Sequence, residues 1–107
     1  HFYLDAKRVI KEKVEHLKGD GVKSVSIYRI NHISEVLFIV LKELGLELGY
    51  VVDDNKKGEE WFGYRVVNMD EFLACGAGIL IHASFDKNEI DSFCVEQKDV
   101  KVVTLRE

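Results

Sequence analysis

The chain has 107 residues, a formal net charge of -4, 47% hydrophobic residues and two cysteines. That length is one domain with enough apolar residues to bury a core. The charges are dispersed with no basic stripe, which argues against nucleic-acid backbone binding. The longest apolar run, VLFIVL, falls far short of the roughly 20 residues a membrane helix needs.

No signal-peptide pattern is visible and the chain starts at His1, so the expectation is an excised domain or processed product from the cytoplasm. Cys75 and Cys94 form neither a C-x-x-C pair nor a disulfide framework. Two reduced, buried thiols without a zinc or redox role are expected.

Leu4 to Lys18 reads as a helix, with Asp5 near its start and Val9, Ile10, Val14 and Leu17 at helical spacing. Gly19-Asp20-Gly21 ends it. Val22 to Tyr28 is the first strand, β-branched with serines between. Ser34 is placed to cap the next helix, which runs to Leu44 and stops at Gly45. Only Glu35, Lys42 and Glu43 make a polar stripe on it. A helix that apolar must be covered on both sides, by the sheet and by either the N-terminal helix or a second subunit.

Leu46 to Val52 is the second strand, ending in Asp53-Asp54, and Asn55 to Gly63 is a charged loop carrying Trp61 and Phe62. These two aromatics are expected to fold back over the second and third strands. Tyr64 to Val67 is the third strand, and Asn68 caps a short helix from Met69 to Cys75. Ile79 to Ala83 is a fourth strand, apolar except for His82, as expected for a strand covered on both faces. Lys87 to Glu96 reads as a helix with Ile90, Phe93 and Cys94 inward, and Val100 to Leu105 as the last strand.

Strands alternating with helices imply parallel pairing through right-handed crossovers. The fold class expected is three-layer α/β, with a mainly parallel five-stranded sheet in the order 3-2-1-4-5. Residues 1–20 are an N-terminal helix, a linker or part of the domain, and residues 21–107 are the domain itself. The chain direction of the sheet reverses between strands 1 and 4, where such folds bind ligands beyond the carboxyl ends.

Three blocks, VSIYRINHIS, LELGYVVDDNKKGEEWFGYRV with NMDEFL, and ILIHASFDKNEI, carry a resemblance to a known group. The chain resembles, from Lys23 to Leu105, the Rossmann-like domains attached to sugar-nucleotide and surface-polysaccharide enzymes, such as the N-terminal domains of PglD-type acetyltransferases. The resemblance implies a pocket for NAD(P) or a nucleotide-sugar at the first turn, in a module of a larger protein, with Asp53 near a ribose or base. It departs at the glycine turn, where Arg29, Asn31 and Ser34 stand in place of the three glycines.

Those glycines normally permit the tight turn, the approach of backbone to pyrophosphate, and close helix–strand packing. Asn31 tolerates unusual backbone geometry better than most residues. Arg29 admits two readings. Its guanidinium fork either supplies an anion site that glycine backbone no longer offers, or it fills a decayed pocket and pairs with Asp53 or Asp54. Asp53 lies 24 residues after Arg29, close to the spacing of a ribose-binding carboxylate, although a strand exit also favours Asp and Asn.

His32, His82 and Ser84 fall at the same strand edge. They suit a polar pocket, but without a recognised motif His82 is expected to be a hydrogen-bonded core residue and His32 a surface turn residue. The candidate ligand-binding set is therefore Arg29, Asn31, His32, Ser34, Asp53, His82 and Ser84, with no catalytic or metal residue assigned. Two functions follow: a nucleotide-type binding module without catalysis of its own, or a degenerate domain serving protein interaction, dimerising through its apolar helices. A small enzyme using His32 or His82 ranks behind both.

Overall fold

The structure is a computed structural model and describes residues 2–106. Its six strands are β1 (Ser24–Tyr28), β2 (Glu47–Val52), β3 (Glu60–Trp61), β4 (Tyr64–Val67), β5 (Gly78–His82) and β6 (Val100–Thr104). They form one sheet in the order β3-β4-β2-β1-β5-β6. The five strands read from the sequence are all parallel and stand in the expected order.

The sixth strand corrects the expectation for residues 55–63. A single 3-10 turn (Asp54–Lys56) follows β2, and then β3 folds back antiparallel to β4. The two residues between them, Phe62 and Gly63, both have positive φ, 49° and 86°. That is the backbone of a primed two-residue hairpin turn. The usual Asn-Gly signal is absent because Phe takes the first position.

Among the described residues, four α-helices complete the fold: α1 (Phe2–Gly19), α2 (His32–Leu44), α3 (Met69–Cys75) and α4 (Lys87–Ser92). Side chains alternate across the parallel strands and so build two cores. Ile27, Val51, Val66 and Ile81 join the core beneath α1 and α2. Their neighbours Val52 and Leu80 join a second core around Phe72 of α3, with Tyr28, Val67 and Phe93 packed against it. Paired registers keep each set on one face, since Ile27 lies opposite both Val51 and Ile81.

The second side of α2 is covered by α1, whose Ala6, Ile10, Val14 and Leu17 are buried. One register irregularity lies in β1 between Val25 and Ile27. There the buried Ser26 hydroxyl accepts the Tyr50 N–H at 3.0 Å and supplies a partner to the β2 backbone.

Two helix ends differ from the sequence expectation. Asn31, not Ser34, caps α2; its side chain accepts the Ser34 N–H while Ser34 Oγ accepts the Asn31 N–H. The reciprocal pair satisfies two otherwise orphan donors. At the other end, Gly45 adopts φ 77° and closes α2 as expected. Helix α4 stops at Ser92, and the chain beyond it is extended. Phe93 and Val95 then pack inward at a period of two, which leaves Cys94 exposed between them. Cys75, on the last residue of α3, is exposed too, so both thiols are free but neither is buried as expected. Among the described residues, no helix is long and apolar enough to cross a membrane.

Candidate functional site

The carboxyl ends of β1, β2 and β5 bring the polar residues together. Asp53 follows β2 and is almost completely buried. Its carboxylate bridges two backbone donors: Oδ2 accepts the Ile30 N–H at 3.0 Å and Oδ1 accepts the Asn55 N–H at 2.9 Å. Charge-assisted bonds of this kind tie the turn after β1 to the turn after β2. Asn31 adds a third tie, because its Nδ2 donates to the Ala83 carbonyl at 2.9 Å. The turn that carries glycines in a dinucleotide fold is thus held by two side chains, Asp53 from the end of β2 and its own Asn31, which reaches the backbone at the end of β5.

Arg29 pairs with neither Asp53 nor Asp54, which corrects that alternative. Its guanidinium donates to Glu89 Oε1 on α4 at 2.9 Å, and both side chains are partly exposed. The same Glu89 oxygen lies 3.5 Å from Nε2 of His82. That separation is longer than a good hydrogen bond.

His82 is the last residue of β5 and has no solvent exposure. It lies opposite Tyr28 on β1 and Thr104 on β6. Its ring sits 5.2 Å from that of Tyr28 and 4.7 Å from that of Phe93, and these two aromatics stack on each other at 4.4 Å. Among the described residues neither imidazole nitrogen has a hydrogen-bond partner. His82 is therefore a core histidine as expected, but not a hydrogen-bonded one. Burial holds its pKa below the ordinary imidazole value; Glu89 pulls the other way and Arg29 reinforces the depression. The Tyr28 hydroxyl is pushed up, first by burial and then by the negative charge of Asp54.

A shallow cleft of about 360 Å³ opens on this edge, lined by Asn31, His32, Ser84, Asp86 and Glu89 among others. His32 is exposed at its rim, on the first turn of α2. Ser84 is buried and accepts the Asp86 N–H at 3.0 Å, so it shapes the turn that enters α4. A larger hollow of about 540 Å³ lies elsewhere, beside Val9, Lys13, His16 and Leu105. It is lined largely by one exposed helix face and contains none of the buried polar groups. The smaller cleft sits at the reversal point of the sheet and is the better candidate.

All seven residues singled out from the sequence lie on this edge, though in different roles. Asn31, Ser34 and Asp53 hold the turn; Arg29 and His82 meet around Glu89; His32 and Ser84 line the cleft. Sequence reasoning missed Glu89, Tyr28 and Phe93. Glu89 lies 60 positions from Arg29, and a helix-borne glutamate carries no local mark of such a contact. Among the described residues no cluster of three His, Cys, Asp or Glu side chains has the arrangement to hold a metal ion. Comparison of the chain with protein-family models, with curated proteins and with solved structures finds no match.

Proposed function

We propose that the chain is a binding module that takes a nucleotide-type ligand at the carboxyl ends of β1 and β5, with Arg29 as its anion-binding group and with no catalysis of its own. The observation that carries this reading is His82. A fully buried imidazole that makes no hydrogen bond, with only the Glu89 carboxylate 3.5 Å from Nε2, costs stability that a leucine there would not. It stands at the reversal point of a parallel sheet, where such folds bind ligands, and its neighbour Glu89 lines the cleft. Arg29 is part-exposed, and its partner Glu89 lines a cleft in the size range of small-molecule sites. The first turn of α2 is capped by Asn31 and Ser34, so its first backbone donors are taken by side chains and not left bare for a pyrophosphate. That favours a mononucleotide or nucleotide-sugar over a dinucleotide.

The test is a thermal-shift panel of NAD, NADP, UDP-sugars, CMP, AMP and S-adenosylmethionine on the wild type and Arg29→Ala. A ligand at 100 times its dissociation constant adds about 2.7 kcal/mol. The expected result is a shift with one ligand class that Arg29→Ala abolishes. A folded wild type that responds to none of them refutes the reading.

A second reading, a protein-interaction module, draws on a different feature. Phe62 is 59% exposed, sits at a left-handed backbone position and stacks on Phe38 at 5.0 Å. Ile39 is also exposed on the same helix as Phe38. Exposed aromatics of this kind mark partner surfaces. Sedimentation of the wild type and Phe62→Ser tests self-association; a strictly monomeric wild type removes the dimer from this reading.

A further inference from the structure

Among the described residues, Glu89 is the side chain that the two unusual groups of the site share. A single oxygen of its carboxylate holds the Arg29 guanidinium at 2.9 Å and stands 3.5 Å from Nε2 of the buried, unpartnered His82. Glu89 also lines the cleft, and its side chain is about one-third exposed, so it has room to move. An arginine fork is suited to carboxylate and phosphate alike. The carboxylate of Glu89 therefore sits on Arg29 where the anionic group of a ligand would sit.

We propose that Glu89 is an internal stand-in for the ligand's anionic group, displaced from Arg29 onto His82 Nε2 when a phosphate or carboxylate group binds. This deepens the ligand reading above and rests on it. The consequence is a coupling between binding and protonation. Besides burial, two charged groups act on the charge state of His82: Glu89 from α4, which favours the imidazolium, and Arg29 after β1, which opposes it, while Tyr28 meets it as a ring contact. While Glu89 is held by Arg29, burial and the nearby guanidinium keep the imidazole neutral. Once the ligand draws the guanidinium away and Glu89 closes on Nε2, the imidazolium gains a hydrogen-bonded counter-charge. His82 then takes one proton from solvent, and no bond other than that N–H forms. The ligand's negative charge is met by Arg29, and the negative charge of Glu89 by His82. Two carboxylates at the cleft, Asp86 and Glu89, would otherwise repel an anion; the exchange removes one of them from its path.

The test is titration calorimetry with AMP and with inorganic phosphate, each in two buffers of different ionisation enthalpy near pH 7. It uses the wild type, Glu89→Gln, Arg29→Ala and His82→Leu, each checked for an intact fold by circular dichroism. Glu89→Gln frees Arg29 from its competitor and is expected to bind about two- to fivefold tighter, the factor a partly exposed ion pair is worth. The phosphate probes themselves titrate near pH 7, so the readout is a difference: the wild type is expected to take up more protons on binding than His82→Leu and Glu89→Gln, and Arg29→Ala does not bind. Tighter binding of AMP than of phosphate places the anion in a nucleotide; equal binding places it in a bare oxyanion, and either agrees with the exchange. If a probe binds the wild type but Glu89→Gln binds no tighter, or if wild-type binding takes up no more protons than binding to His82→Leu, the exchange is overturned while the ligand reading stands. If neither probe binds any variant, Glu89→Gln included, the exchange is overturned; a blank nucleotide panel as well removes the ligand reading with it.

Discussion

Asp53→Ala separates a carboxylate that builds the fold from one that waits for a ribose. The side chain is 4% exposed and accepts two backbone N–H groups, from Ile30 at 3.0 Å and Asn55 at 2.9 Å. A hydrogen bond to a charged group is worth about 1.5–3 kcal/mol, and an orphaned donor costs about as much again if it stays dry. Asn55 lies in an exposed turn where water replaces the lost acceptor, so its share falls at the low end. Ile30 is half-buried at the start of the turn before α2, and its share is larger. Together the loss is expected to be about 3 kcal/mol, or ~12–20 °C in the melting temperature of a domain near this size. Asp53→Asn keeps one acceptor oxygen and loses its charge, so it is expected to lose about half as much. Urea unfolding of the three proteins, with no ligand added, reads this directly. If Asp53→Ala unfolds within about 0.5 kcal/mol of the wild type, Asp53 does not hold the two turns together, and the account of the site as side-chain-built fails.

Three further outcomes are expected. The neutral, buried His82 has its pKa lowered in the folded chain, so below the ordinary imidazole value of about 6.5 the unfolded chain binds a proton that the native one refuses. Wild-type stability then falls with falling pH, by at most about 1.4 kcal/mol per pH unit from this group, and His82→Leu lacks that component; parallel stability curves for the two proteins between pH 7 and 5 would contradict it. A Cβ added at Gly76 would lie 2.5 Å from the Phe72 ring and 2.8 Å from its carbonyl oxygen. Because Phe72 is fully buried in the second core, Gly76→Ala is expected to cost about 1–3 kcal/mol by denaturant unfolding, and an unchanged midpoint would mean the ring can move aside. Phe62→Asn trades a stack on Phe38 worth about 0.5–1.5 kcal/mol against relief of a left-handed backbone worth about 1–2 kcal/mol. The variant is expected to be at least as stable as the wild type, and a loss above 1 kcal/mol in chemical denaturation would show that the aromatic clamp dominates.

The parallel α/β architecture was legible in the residues. Strand segments rich in Val and Ile alternate with amphipathic or apolar helices, and that alternation leaves few topologies open. The all-round apolar character of α2 announced cover on two sides, and the choice of α1 as the second cover is tertiary. Boundaries failed where two periods compete. The stretch from Lys87 to Glu96 reads equally as a helix, but Phe93 and Val95 follow the period of an extended chain once packed against the second core. The hairpin of β3 and β4 was missed because its turn uses Phe62 at a left-handed position that Asn or Gly normally fills.

The candidate site divides in the same way. Although Asn31 rather than Ser34 takes the cap, and Asp53 also reaches Ile30 from 23 positions away, a cap before α2 and a turn after Asp53 were legible in the chain, because caps and strand exits act over two or three residues. The loss of the glycine turn was equally visible. What only the folded chain decided is which charges meet. Arg29 had acidic neighbours on the next strand exit, yet backbone N–H groups claimed Asp53, and the approach of α4 delivered Glu89 from 60 positions away. That contact depends on how a short helix packs across the sheet edge. The same packing buries His82 among Tyr28, Phe93 and Glu89 with both nitrogens unpartnered. A sequence specifies its local hydrogen bonds through residue spacing, whereas the neighbours of a buried imidazole are set by long-range packing.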